Sequence, residues 1–440
     1  MPWRRAWPRP ISSTVGSRIV CCWRSLPRKG SAPRFESEME LLAGRHQIVL
    51  PCSPGVAPFL ARELRELKLP VIEERATSVT TKGDFAVLLQ LNLSLRTGQR
   101  VLWRLASFKA EDPDQLYAGL LPLTWEELVS AEGYFSVTSV VDNPTIKDSR
   151  FANLRVKDAI VDRLRRCRGR RPDTGPRRDR LVFHLFWQQD QVKIYLDSSG
   201  PTLAQRGYRL DPGKAPLRET LAAALVMASN WDGHGAFINP MCGSGTLAIE
   251  AALLAQNRVP GLLRRHYAFQ SLAGYKNMEL LRLQAEARRR ARPGRKLRII
   301  ATDIDPRIIK VAQANAARAE VAEVIEFQTC DFAETPVPPG GGVIFCNPEY
   351  GVRLGSETEL RATYRRFGDF LKRKGAGYEA FIFSGNRRLM QEVGLRAEHH
   401  WFFDNGGIAC ELASYPLYAG RKENSGADTK SEGQADLIGP

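Results

Sequence analysis

No stretch of this chain approaches the roughly 18 consecutive apolar residues that a helical membrane span requires. Its eight cysteines (Cys21, Cys22, Cys52, Cys167, Cys242, Cys330, Cys346, Cys410) are scattered and form no CxxC pair. Zinc sites and disulfide frameworks need regular spacings, so both are excluded, and a reducing, cytoplasmic setting is expected. The six histidines show no metal-ligand spacing either, so no metal is expected. A nucleophile elbow is absent, and no Gly-Lys-Ser/Thr follows a glycine turn, which removes the P-loop nucleotidases. Acids are scarce relative to bases: 48 Asp and Glu stand against 64 Lys and Arg, a formal charge of +16.

What is present is an ordinary globular composition, 43% hydrophobic and 25% charged, over 440 residues, enough for two or three domains. The basic excess points to a polyanionic partner. Residues 1–38 carry eight Lys or Arg and two Glu, yet the remainder still holds +10, so the signal does not depend on that segment. Residues 1–38 read as a basic disordered extension, with translation expected to begin at Met39. Residues 421–440 read as a polar, disordered tail.

From His46 the pattern is orderly. His46–Pro51 reads as a strand, Val56–Leu67 as an amphipathic helix, Val79–Gly83 and Ala86–Leu91 as paired strands, and Leu93–Trp103 as a helix. A strand follows at Tyr134–Val141, a helix at Ser149–Leu164, and a hairpin at Leu181–Trp187 and Gln191–Asp197. Nine arginines lie between Arg163 and Arg180 with few acids among them, the pattern of a loop that contacts phosphates. After Gly200 strands alternate with helices: Ala236–Asn239, Leu297–Asp303, Val324–Gln328, Val343–Asn347 and Glu379–Ser384 against Thr220–Ala228, Leu247–Gln256, Pro306–Ala319 and Leu360–Lys372. Such alternation implies a mostly parallel sheet covered on both faces.

Four strand ends carry chemistry. The first runs through Asn239-Pro-Met-Cys242-Gly243-Ser-Gly245-Thr246 into a helix, a glycine turn that lets backbone approach a ligand. The second ends in Asp303-Ile-Asp305-Pro, where Asp303 suits the hydroxyls of a ribose and Asp305 caps the next helix. Asp331, closing the third strand, is placed to meet an adenine amino group. The fourth ends in Asn347-Pro348-Glu349-Tyr350-Gly351. An amide oxygen and a backbone carbonyl there can accept from an exocyclic amine while the aromatic ring stacks on its base.

These motifs, in this order, resemble those of class I methyltransferases acting on exocyclic amines. More closely, the chain resembles the THUMP-containing 23S rRNA guanine-N2 methyltransferases, specifically the first-methylase half of the bifunctional enzyme and its single-domain relatives. The likeness spans about residues 46–418. It is carried also by Thr145-Ile-Lys147-Asp-Ser-Arg150-Phe-Ala, Val156–Asp162, Arg206-Gly-Tyr-Arg209, Ala215–Thr220 and Asp404-Asn-Gly-Gly-Ile-Ala-Cys410. One departure stands out: Glu349 occupies the family's second proline, which frees a backbone N–H and adds a charge beside the amine site.

The resemblance implies a ferredoxin-like subdomain at 39–104, a THUMP RNA-binding domain at 105–200 and a class I (Rossmann-like) α/β methyltransferase domain at 201–420. S-adenosylmethionine is the implied cofactor, bound by Asn239, Cys242, Gly243, Gly245, Thr246, Asp303, Asp305 and Asp331. Catalysis falls to Asn347, Pro348 and Tyr350. RNA, ribosomal above all, is the implied partner, contacted by Lys147, Arg150, Arg165, Arg166, Arg168, Arg170 and Arg171. The implied reaction is methylation of a guanine N2 in large-subunit rRNA. Two alternatives stand beside it: a tRNA guanine-N2 methyltransferase, and an RNA-binding assembly factor whose catalysis has lapsed.

Overall fold

A computed structural model describes residues 42–146, 148–209, 217–350 and 357–418. The expected extension at 1–38, the tail at 421–440, Lys147 and Gly351 lie outside the described residues. The first region comprises β1 (His46–Pro51), α1 (Ala57–Glu66), β2 (Glu73–Arg75), β3 (Ser78–Gly83), α2 (Phe85–Ser94) and β4 (Leu102–Lys109). The second comprises α3 (Pro113–Leu120), β5 (Tyr134–Asp142), α4 (Ser149–Arg168), β6 (Asp173–Thr174), β7 (Leu181–Gln188) and β8 (Gln191–Asp197). Their strands join into one eight-stranded sheet, β2-β3-β1-β4-β8-β7-β5-β6. The seam is the antiparallel β4–β8 pair, with a bulge between Arg104 and Ala106.

Three expectations in this half are corrected. The alternation at Ala86–Leu91 predicts a strand, but Phe85–Ser94 is helical. Asp84 caps it by accepting from the Val87 amide at 3.0 Å, and Leu88, Leu89, Leu91 and Leu93 are all buried, so no polar face marks the helical period. The helix expected over Leu93–Trp103 is then a turn followed by strand β4. The arginine segment is corrected too: α4 continues through Arg168, where Gly169 at φ +67° caps it. Arginine is a strong helix former, and the cations complement the negative helix end, so Arg163–Arg168 propagate the helix rather than loop out.

The third region contains α5 (Glu219–Ala228), β9 (Ala236–Pro240), α6 (Thr246–Ala255), α7 (Met278–Arg290), β10 (Arg298–Asp303), α8 (Pro306–Arg318) and β11 (Ile325–Thr329). It continues with β12 (Gly342–Cys346), α9 (Glu357–Lys374), β13 (Tyr378–Ser384), α10 (Arg387–Gln391), β14 (His399–Asp404) and β15 (Ala409–Pro416). The elements expected from Ala236 onward lie within three residues of those observed; α7 and α10 carry no sequence expectation. The sheet order is β11-β10-β9-β12-β13-β15-β14, parallel through β13 and closed by an antiparallel hairpin. The chain winds from β9 outward to β11 and then returns to β9's other side as β12. That reversal opens a crevice at the carboxyl ends of β9 and β12, where open α/β sheets bind ligands. Among the described residues no helix is long and apolar enough to cross a membrane.

Candidate active site

Strand β9 is wholly buried and delivers Met241, Gly243 and Gly245 in left-handed conformations (φ +51°, +54° and +80°) before α6 begins. A side chain at Gly245 would be strained by that φ and would press on Ala312 of α8 at 3.1 Å, so the close helix contact depends on glycine. At Gly243 the space beyond Cα is open for 4 Å, which leaves backbone accessible to a ligand. The turn is pinned from β10: the Cys242 amide donates to Thr302 O at 2.9 Å, and the Gly243 amide to Asp303 Oδ2 at 2.9 Å.

The Asp303 carboxylate accepts one further backbone bond, from Asp305 N to Oδ1 at 3.1 Å. Each carboxylate oxygen is thus oriented by one amide and keeps lone-pair capacity for a hydroxyl donor. Asp305 is occupied locally. It accepts from the Arg307 amide at 2.8 Å as the α8 cap, and the Arg307 guanidinium at 2.9 Å holds its carboxyl below the usual range. Between them Ile304 is 70% exposed, an uncovered apolar surface that the motif reading does not anticipate.

On the other side of β9 the two strand-end amides are complementary. Asn239 Nδ2 donates to Phe345 O at 2.8 Å, while Asn239 Oδ1 and Asn347 Oδ1 are both buried without a hydrogen-bond partner among the described residues. Pro348 is buried behind Asn347, and Glu349 is exposed. Tyr350 is half-buried; its hydroxyl accepts from Asn405 Nδ2 at 3.0 Å, and its ring lies so near Gly385 that an added Cβ there would meet it at 2.9 Å. The β14–β15 hairpin therefore holds the aromatic ring in place. Asn405 escapes the sequence reading as a functional residue, although it lies in the Asp404–Cys410 segment that carried the resemblance.

Burial, reinforced by the Asp303 carboxylate, pushes the Cys242 and Cys346 thiols well above their ordinary range. They are inert apolar neighbours, not nucleophiles. Asp331 is drawn elsewhere than expected. It caps the turn at Phe332–Glu334 through the Ala333 amide (2.9 Å), and both its oxygens take Arg366 Nη2 of α9 at 3.0 Å. Burial alone would raise its pKa, but the Ala333 amide and the Arg366 guanidinium hold it below the usual range. Thr246 accepts from Arg209 Nη2 at 2.6 Å, so the first residue of α6 is gripped by the segment preceding the sheet. Among the described residues no cluster of acids, histidines and cysteines could hold a metal.

The basic residues of the second region sort into two groups. Arg165, Arg166 and Arg171 are exposed with no hydrogen-bond or carboxylate partner among the described residues. Arg168 instead donates to the Val129 carbonyl at 2.9 Å and to Glu126 O, Arg170 pairs with Glu132 at 3.2 Å, and Arg150 pairs with Asp148 at 2.8 Å. If the free three contact phosphates, neutralising them with glutamine should reduce the log–log salt slope of RNA binding by roughly 2–3. An unaltered slope would assign these arginines to solvent alone.

The switch-point crevice, the glycine turn and the strand-end acid together define a class I, S-adenosylmethionine-dependent methyltransferase fold, set behind an α+β N-terminal half. Three family models match in succession: an RlmL ferredoxin-like domain over residues 47–102, a THUMP domain over 110–197, and an RMKL-like methyltransferase domain over 206–413. The chain is 37% identical to the ribosomal RNA large subunit methyltransferase K/L of Syntrophotalea carbinolica, over 82% of this chain and 52% of that one. It thus spans about half the length of that relative. It is 34% identical to slr0064 of Synechocystis sp., over 83% of this chain and 95% of that one. The crystal structure of SMU.472 complexed with SAH superposes with a TM-score of 0.78 at 26% identity, covering 86% of this chain and 99% of that one. The chain belongs to the THUMP-containing methyltransferase family with an RMKL-like catalytic domain.

Proposed function

We propose that this protein methylates the exocyclic N2 of a guanine in large-subunit ribosomal RNA, with S-adenosylmethionine as methyl donor. The observation that carries the reading is the buried Oδ1 of Asn347, without a hydrogen-bond partner among the described residues, at the end of β12, next to the Pro348 backbone and separated by one strand from β10, which ends in Asp303. An orphaned buried acceptor costs free energy unless a ligand donor satisfies it, and an amine is such a donor. The THUMP match and the name of the Syntrophotalea relative favour ribosomal RNA as the polymer.

The residues present fit the cofactor. The open cradle at Gly243 and the two amide-oriented oxygens of Asp303 suit a nucleoside with free ribose hydroxyls, and Ile304 offers apolar surface to its base. When bound, S-adenosylmethionine supplies an electrophilic methyl on a cationic sulfonium. The protein's own part is positioning. Asn347 Oδ1 and the Pro348 carbonyl accept the two amine protons, which directs the nitrogen lone pair away from them. Tyr350, fixed by Asn405, provides a ring against which an extruded base can rest. Asp331, already paired with Arg366, reaches an adenine amine only if that pair opens.

Asp303→Ala should weaken S-adenosylmethionine binding by roughly 1.5–3 kcal/mol, the scale of a hydrogen bond to a charged group. Calorimetry showing wild-type affinity in a folded variant would remove Asp303 from the cofactor site. The substrate is tested by mass spectrometry of nucleosides from rRNA and tRNA incubated with the protein and labelled cofactor. Label in N2-methylguanosine of large-subunit rRNA supports the reading. Label in tRNA alone, on adenine, or in no RNA overturns it.

A further inference from the structure

The most basic segment of the methyltransferase domain takes no part in the site described above. From Arg288 to Arg298 the sequence runs Arg-Arg-Arg-Ala-Arg-Pro-Gly-Arg-Lys-Leu-Arg, seven cations and no acid. The N-terminal part of α7 is different in kind. There Arg282 pairs with Glu279 at 2.6 Å and with Glu286 at 2.5 Å, and Glu286 also takes Arg290 at 3.3 Å. Past Arg290 compensation stops. Arg288, Arg289, Arg292, Lys296 and Arg298 are exposed, and none has a carboxylate within 4 Å among the described residues. Arg295 alone turns inward, donating to the Ala255 carbonyl at 3.2 Å.

Structural needs do not account for this. The negative end of α7 favours cations in its last turn, which covers Arg288 and Arg289 but not Arg292, Lys296 or Arg298. The backbone between them is held as a platform: Arg292 N donates to Gln256 O at 2.7 Å, Gln256 Nε2 to Pro293 O at 3.2 Å, and Asn257 Nδ2 to Arg290 O at 3.1 Å. Like charges fixed side by side repel one another, and a polyanion relieves that repulsion while releasing its own counterions.

Position decides what the platform can touch. Arg298 begins β10 and Asp303 ends it, so the two lie at opposite ends of that strand. Five residue steps at about 3.3 Å each put them roughly 17 Å apart. A nucleotide seated at Asn347 and Asp303 does not reach the platform.

We propose that the Arg288–Arg298 segment is a second RNA-contact surface, which engages phosphates remote from the target nucleotide and so selects a long folded RNA over an isolated hairpin. This rests on the reading of the chain as an RNA methyltransferase. Salt titrations of RNA binding test it, with Arg288→Gln/Arg289→Gln/Arg292→Gln in the full chain. The two probes are a short RNA hairpin and a long structured transcript of large-subunit rRNA. For the transcript the log–log salt slope should fall by about 2–3, so that wild type loses about 16- to 64-fold more affinity than the variant between 50 and 200 mM salt. For the hairpin the slope should be unchanged, as should cofactor affinity and the melting temperature. An unchanged slope on the transcript overturns the proposal, and so does an equal fall on the hairpin, which would place the surface within reach of the target. Because binding is read without methyl transfer, failure of this surface and failure of the methyltransferase reading are separate results: methylated RNA with an unchanged slope sinks only the former, and a reduced slope with no methylated RNA only the latter.

Discussion

Asn347→Ala should depress methyl transfer by about 10²–10³-fold, the effect of deleting one preorganised dipole from a dry site, and leave cofactor affinity nearly unchanged. The asymmetry follows from where the amide sits. Its Oδ1 is buried and has no hydrogen-bond partner among the described residues, which leaves it open to a donor on the bound base. The Gly243–Asp303 cradle lies across β9 and β10 and does not depend on this amide for its hydrogen bonds. Removing an interaction that strengthens as the amine is methylated lowers kcat and kcat/KM together and largely spares cofactor binding. Single-turnover rates at saturating RNA, alongside calorimetric cofactor affinity, make the comparison. A loss smaller than tenfold, or one matched by an equal loss of cofactor affinity, would remove Asn347 from the reaction. Tyr350→Ala separates base capture from chemistry, since stacking is worth roughly 1–3 kcal/mol and its loss appears in RNA affinity.

The strand-end residues were legible in the sequence because a parallel sheet places chemistry at predictable points. Short buried runs such as Ile299–Thr302 end in polar residues, and Asp305-Pro306 announces the following helix. Their partners were not legible. Asn405 steadies Tyr350 from 55 residues away, Arg209 grips Thr246 from 37, and Arg366 occupies Asp331 from 35. No periodicity encodes contacts of that range; folding alone brings them together. The misread stretch after Asp84 has the opposite cause. Helix α2 is packed on several sides, so its leucines show neither the 3.6-residue stripe nor true alternation.

The same long-range logic predicts a large stability effect. Arg206 is 1% exposed and Glu250, one turn beyond Thr246 on α6, is also 1% exposed. Their charges lie 3.5 Å apart, and Arg206 also donates to Leu203 O at 2.9 Å, Leu95 O at 3.3 Å and Arg96 O. Tyr208 adds a hydroxyl bond to Glu250 at 3.2 Å. One buried guanidinium therefore ties the turn after α2 to the helix that carries the cofactor turn. Arg206→Met strands a buried carboxylate and three carbonyls, and should cost about 3–5 kcal/mol. Adding Glu250→Leu removes the stranded charge, so the double variant should regain part of that loss. Full recovery is not expected, because the three carbonyls still lack their donor. Urea unfolding of the two variants beside wild type measures both steps. A single-variant loss under about 1 kcal/mol would show the pair to be inert, and a double variant no more stable than the single would show that the carbonyl bonds, not the Glu250 charge, are what Arg206 is buried to satisfy.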